Sequence, residues 1–255
     1  MPEMTSHAPG TPSWVDLATP DTEAAVTFYD ALFGWTAPIT SDDEAGGYRL
    51  FQLQGRPVAG AAPIVTPGHR PSWTTYITVA DADETMAKVR AAGGTVIREP
   101  MDVMTAGRMA VFADPTGAVA AVWQPGDHQG AGVVNEPGSL CWNELTTRDG
   151  DAARAFYREV FGWTATDTPA GGQPYTRFGL GGRDIGGMIV MDERWPAEIP
   201  AHWMVYFAVE NTDATVAHAK ELGGTVSVEP FDLPVGRFAV LHDPHGALFS
   251  VIAMN

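Results

Sequence analysis

Near the start of the chain apolar and polar side chains alternate, Val15 and Leu17 against Trp14 and Asp16, and this period of two predicts a half-buried strand. From residue 25 the period lengthens: Ala25, Phe28, Tyr29, Leu32 and Phe33 fall at i, i+3, i+4, i+7 and i+8 and make one apolar helical stripe. Thr19-Pro20-Asp21 offers a cap with proline near the first helical position, and Gly34 supplies a left-handed stop. Tyr48–Leu53 and Val58–Val65 read as strands. The plan then returns, with a strand over Trp73–Val79, a helix over Asp83–Ala92, and strands over Thr95–Arg98, Arg108–Phe112 and Ala118–Trp123. Between the last two, Asp114-Pro115-Thr116-Gly117 has the residues a type I turn prefers. Each unit reads as β-α-β-β-β.

The chain repeats once more at a larger scale, and a missed repeat would corrupt every later inference. Phe28-Tyr29 and Phe33-Gly34-Trp35-Thr36 return as Phe156-Tyr157 and Phe161-Gly162-Trp163-Thr164, and Trp14 returns as Trp142. Gly93-Gly94-Thr95-Val96 recurs at 223–226, Glu99-Pro100 at 229–230, Gly107-Arg108 at 236–237, and the Asp114 turn as Asp243-Pro244-His245-Gly246. Two homologous domains follow, 12–126 and 139–255. Between them the turn formers from Pro125 to Gly132 read as a linker, and Met1–Pro12 as a loose arm without signal-peptide character.

Composition narrows the function classes. Of 255 residues 45% are hydrophobic and 18% charged, enough for a real core. A formal net charge of −16 would repel phosphate backbones and anionic lipid, so neither nucleic acid nor membrane is predicted as partner. One cysteine, Cys141, excludes an intramolecular disulfide and a thiolate cluster and suits a cytoplasmic setting.

The four modules, the Phe-Tyr…Phe-Gly-Trp helix ends, the Gly-Gly pairs and the Asp-Pro-x-Gly turns resemble the vicinal oxygen chelate superfamily. That family includes glyoxalase I, bleomycin-resistance proteins, fosfomycin-resistance enzymes and extradiol dioxygenases. The resemblance covers nearly the whole chain. It implies an α+β fold, four βαβββ modules forming two tandem glyoxalase/bleomycin-resistance-like domains with cup-shaped mixed sheets that hold ligands. It also implies a divalent metal held by His, Gln or Glu from several cup strands. The matching positions carry Trp14 and Trp142, Thr74 and Met204, Ala121 and Ser250, and Gln52 and Gly179. Only Gln52 is an ordinary ligand type, so no metal ligand and no cofactor is predicted, and a divalent metal is disfavoured. His202, His218, His242 and His245 have Ser72, Lys88, Ala113 and Thr116 as counterparts, so no chelating set is duplicated.

Strand alternation from these positions puts Trp14, Asp16, Gln52, Thr74, Tyr76 and Trp123 in the first cup, and Trp142, Glu144, His202, Met204, Tyr206 and Ser250 in the second. Such aromatic walls with few polar groups suit a flat, partly aromatic organic molecule. Asp16 and Glu144 occupy one repeat position; each reads as a general base or counter-charge, or else as a solvated strand-end carboxylate or a partner for a nearby Arg. His202 is the third catalytic candidate, with a surface residue as its plainer reading. Glu99 with Arg108 and Glu229 with Arg237 read as cross-strand ion pairs, and Cys141 as a buried thiol on the helix side. The loops Ser41–Gly47 and Thr166–Gln173, where the halves differ most, are expected to overhang the cups.

The leading expectation is a tandem cup protein that takes up a small molecule, by sequestration or by cofactor-free acid–base chemistry. The resemblance adds natural-product tailoring, hydroxylase-like activity or resistance as its setting. Two other readings stand beside it. One is a metal-dependent glyoxalase-type lyase or extradiol-type dioxygenase, using for instance His202 with Glu144; the other is a non-catalytic interaction module whose cups are plugged by Trp14, Trp142 and Trp123. A monomer with an internal pseudo-dimer, or a homodimer, is expected.

Overall fold

The computed structural model describes residues 4–38, 46–170 and 173–255. The first half runs β1 (Pro12–Thr19), α1 (Thr22–Phe33), β2 (Arg49–Leu53), β3 (Arg56–Pro63), β4 (Ser72–Thr78), α2 (Ala82–Ala91), β5 (Thr95–Val103), β6 (Gly107–Ala113) and β7 (Val119–Pro125). The second runs β8 (Leu140–Thr147), α3 (Gly150–Phe161), β9 (Thr164–Ala170), β10 (Gln173–Leu180), β11 (Arg183–Val190), β12 (His202–Ala208), α4 (Thr212–Glu221), β13 (Thr225–Leu233), β14 (Gly236–His242) and β15 (Leu248–Met254). Each half forms its own curved mixed sheet, in the orders β2-β3-β1-β4-β7-β6-β5 and β13-β14-β15-β12-β8-β11-β10-β9. In each, the two modules join edge to edge through an antiparallel central pair, β1 with β4 and β8 with β12. This is the expected α+β architecture of tandem cups.

The helices lie on one face of each sheet, and there the halves exchange partners. One core joins Phe28, Tyr29 and Trp73 of the first half to Phe207, Val216 and Phe249 of the second. The other joins Met86 and Phe112 to Phe156, Tyr157, Trp163 and Trp203. Polar bonds cross at the same places. Tyr157 Oη donates to Asp114 Oδ2 (3.0 Å) and accepts from Trp203 Nε1 (2.8 Å); Tyr29 Oη donates to Asp243 Oδ2 (3.3 Å) and accepts from Trp73 Nε1 (3.1 Å). The other oxygen of each aspartate holds its own turn together, as Asp114 Oδ1 does with the Thr116 and Ala118 amides. The Asp-Pro-x-Gly sequence is therefore both a turn and half of a bond between repeats.

Several expectations change. The cap of α1 is Asp21, whose side chain accepts from the Ala24 amide, so Pro20 precedes the cap instead of opening the helix. Of Thr166–Gln173, residues 166–170 and 173 pair in β9 and β10 instead of forming a loop, and 171–172 lie outside the described residues; in the first half Thr36 meets Gln52 only in an isolated bridge, and 41–45 of the loop Ser41–Gly47 lie outside the described residues. Arg108 pairs with Asp83 and Asp102, Arg237 with Asp213 and Asp232. Their expected partners go elsewhere, Glu99 to Arg90 and Glu229 to Lys220, because the register sets Asp102 opposite Arg108 and Asp232 opposite Arg237.

Two bulges and two packed segments account for the rest. The ladder slips between Trp142 and Leu140, leaving Cys141 unpaired and turning it to the cup face, where it packs with Tyr206; it does not face the helices. Ser13 is bulged at the same repeat position. The described part of the arm, from Met4, is not loose, since Gly10 N donates to Thr78 O (2.7 Å) and Gly10 O accepts from Trp163 Nε1 (2.7 Å); residues 1–3 lie outside the described residues. Nor is the segment after β7 a plain linker: Ala131 N donates to Ser13 O and Gly132 N to Pro57 O, at 2.8 and 2.7 Å.

Candidate functional site

The faces opposite the shared cores carry the two cups. Asp16 sits on β1, flanked by β3 and β4, with Gly60 beside it on one strand and Thr74 on the other. Its Oδ1 accepts from Trp14 Nε1 (2.8 Å), two residues back on the same face, and from Tyr48 Oη (2.7 Å). The Tyr76 hydroxyl also faces this carboxylate. Glu144 holds the same place between Gly187 and Met204. Its Oε1 accepts from Tyr206 Oη (2.8 Å), and the Tyr175 hydroxyl faces it while accepting from Trp142 Nε1 (2.8 Å). Trp14 binds its carboxylate directly, whereas Trp142 binds Tyr175, whose hydroxyl faces Glu144. Each hydrogen-bonded cluster thus contains one carboxylate, two tyrosines and a tryptophan.

Tyr48 and Tyr175 are absent from the sequence-based set, although a signal was present: Tyr48 and Phe51 return as Tyr175 and Phe178. The glycines beside the carboxylates explain how the tyrosines reach them. A Cβ on Gly60 would overlap the Tyr48 hydroxyl, and one on Gly187 the Tyr175 hydroxyl. Glycine is needed here for the close approach of a side chain, not for an unusual φ.

Burial pushes the Asp16 and Glu144 carboxyls above their usual range, partly offset by the tyrosine and tryptophan donors. The same burial, together with the neighbouring carboxylate, drives all four tyrosines upward, so they remain hydroxyl donors at neutral pH. A carboxyl with a raised pKa beside fixed O–H donors can exchange a proton with a ligand and hold the oxygen left behind.

Of the remaining predicted residues, Trp123 packs with Trp14 and Tyr76, Met204 packs with Tyr206 and Trp142, and the fully buried Ser250 lies opposite Tyr206. Thr74 is half-buried across from Asp16. Gln52 and His202 are not drawn in. Gln52 lies on the edge-side strand β2 with no side-chain bond to the carboxylate cluster, and His202 begins β12 with Nδ1 2.9 Å from Pro200 O. Among the described residues no three or more His, Cys, Asp or Glu side chains converge. One carboxylate beside Trp, Thr, Met, Ala and Ser does not make the N/O donor set that an open divalent site requires.

The profile of the Glyoxalase/Bleomycin resistance protein/Dioxygenase superfamily matches residues 11–122 and 130–251, and the chain belongs to that superfamily. Relatives extend over nearly its whole length. The anthracycline biosynthesis protein DauV of Streptomyces sp. (strain C5) is 45% identical over 266 residues, 99% of this chain and 96% of that protein. The protein named "Putative glyoxylase CFP32" of Mycobacterium tuberculosis (strain CDC 1551 / Oshkosh) is 46% identical over 258 residues, 99% of this chain and 98% of its own. Among solved structures, the Mn(II)-bound glyoxalase from Novosphingobium aromaticivorans shares the fold at 16% identity, with a TM-score of 0.64 over 96% of this chain and 82% of that one. No helix among the described residues is long and apolar enough to cross a membrane.

Proposed function

We propose that this chain binds a small, planar, partly aromatic organic molecule against the buried carboxylate of a cup, without a bound metal, and acts on it by acid–base chemistry or holds it sequestered. The observation that carries the reading is the twice-built cluster of a desolvated carboxyl with two tyrosine hydroxyls and an indole N–H. The aromatic and aliphatic walls supply stacking area, and the cluster supplies a proton acceptor with donors around it. In the ionised form Glu144 would take a proton from an acidic C–H or O–H of the ligand, and Tyr206 would donate to the oxygen that gains charge. A relative named for anthracycline biosynthesis supports fused aromatic rings as the ligand class. We also place the protein in the cytoplasm, as a monomer whose two halves form an internal pseudo-dimer.

The metal-dependent alternative draws on the Mn(II)-bound structural neighbour and the relative named as a glyoxylase. Metal analysis of protein purified without chelator separates the two. The proposal expects a substoichiometric divalent content and quinizarin, a neutral dihydroxyanthraquinone, quenching tryptophan emission equally with and without EDTA. A stoichiometric ion lost in Glu144→Gln would overturn it, and so would no quenching at any concentration.

A further inference from the structure

The cups differ in what covers them. In the first, the segment after β7 crosses the rim: the His128 ring stands edge-on to Trp14 at 4.4 Å and to Trp123 at 5.7 Å, and Trp123 Nε1 donates to His128 O (2.9 Å). Ala131 follows, fully buried against Trp14, Tyr76 and Trp123. The N-terminal arm pins this strap from outside, with His7 Nε2 2.9 Å from Ala131 O and Met4 N donating to Gly132 O (3.0 Å). As a result Trp14 keeps only 3% of its surface and Trp123 6%.

In the second cup Ile252 stands where the first has Trp123, so the indole that fastens the strap is missing, and Trp142 is only half-buried. A path leads in along the aromatic rings. Phe231, 40% exposed at the rim, lies 4.0 Å from Phe238, and Phe238 lies 6.3 Å from Tyr206, the tyrosine that holds Glu144. The corresponding residues of the first half are Met101 and Met109.

From this asymmetry, and resting on the ligand-binding reading above, we infer that the second cup is the chain's one ligand site, taking a planar aromatic molecule along Phe231 and Phe238 to Glu144, while the first cup is filled by the chain's own strap. The strap closes over the indoles of Trp14 and Trp123, while Asp16 beside them stays half-buried. One ligand per chain is the consequence.

The test is a titration of the intact chain with quinizarin, followed by calorimetry and by the indole N–H resonances. One equivalent binds, the Trp142 resonance shifts, and those of Trp14 and Trp123 stay in place. Phe238→Ala weakens binding about tenfold, as removal of one stacking ring does, whereas Met109→Ala leaves it within twofold. Two equivalents, a shift at Trp14 or Trp123, or equal losses from the two variants would overturn the one-cup inference while leaving ligand binding intact. No heat and no shift at any resonance would refute the ligand-binding reading itself, and this inference with it. Should Phe238→Ala not fold, the stoichiometry and resonances of the unaltered chain still decide.

Discussion

Gly187→Ala adds a single methyl group at the point where the Tyr175 hydroxyl lies, and the two cannot share that space. Tyr175 must swing away, which strips Trp142 Nε1 of its acceptor and Glu144 of a donor. A stranded donor costs about 1–3 kcal/mol and a lost bond to a charged group about 1.5–3 kcal/mol. With Trp142 only half-buried the first figure falls at its lower end, so the total is about 2.5–4 kcal/mol, a large share of a typical 5–15 kcal/mol of stability. A cycle of four proteins measured by urea unfolding isolates the cause: wild type, Gly187→Ala, Tyr175→Ala and the double variant. Once Tyr175 is gone the nearest side-chain atom to the added methyl is Trp142 Nε1 at 3.0 Å, in a half-buried ring free to give, so Gly187→Ala in that background should cost under about 1 kcal/mol, a coupling of about 1.5–3 kcal/mol. Equal costs in both backgrounds, or a cost below about 1 kcal/mol in the wild type, would show that the glycine does not serve the tyrosine.

Three further outcomes follow from the same structure. Tyr157→Phe strands Trp203 Nε1 and Asp114 Oδ2 in a core shared by both halves, costing about 2–4 kcal/mol; calorimetry should show one transition moved as a whole, and separate melting of the halves would contradict the shared core. His128 is held down to about 4 by burial and by His7, so its stabilising neutral form is fully present above the unfolded value of about 6.5 and is lost as pH falls toward 4. Wild type should therefore lose about 2 kcal/mol more than His128→Gln between pH 7 and 5, and parallel losses would sink the assignment. Glu144 has the opposite sign: with its folded value raised, stability declines as pH rises through the interval between unfolded and folded values. Glu144→Gln should melt higher than wild type at pH 8, with the gap closing near pH 4; a lower melting temperature at pH 8 would mean that the charge is favourable where it lies.

Period and repeat carried the sequence reading a long way, since the modules, helix stops and Asp-Pro turns all arise from local chemistry. Faces were legible wherever the ladder is regular, which is how Trp14, Asp16, Tyr76, Trp142, Glu144 and Tyr206 come out on the cup side. Alternation fails at a bulge, because one extra residue reverses the count, and for that reason it assigns Cys141 to the wrong face. Ion pairing failed for a related cause: Arg108 and Glu99 recur together, yet register decides which carboxylate stands opposite. Tyr175 comes from β10, two places away in the sheet, and Tyr48 from the residue just before β2, and their contact with the carboxylates depends on an intervening glycine that no local pattern announces. The strap across the first cup was hidden because a stretch of Gly, Asp and His looks like a linker whether or not two indoles wait beneath it.

The exchange of partners between the halves also bears on how the chain is made. When residue 126 leaves the ribosome the first sheet can pair, but Met86 and Phe112 still lack Phe156, Tyr157 and Trp203 to cover them. At roughly 5–20 residues per second the ~80 residues from there to Trp203 take about 4–16 s to arrive. For that interval the nascent protein carries an open apolar face that only its own later sequence can close, so a stop codon between the repeats would release a sticky half-protein and not a small working domain, and a translational pause there would prolong the exposure.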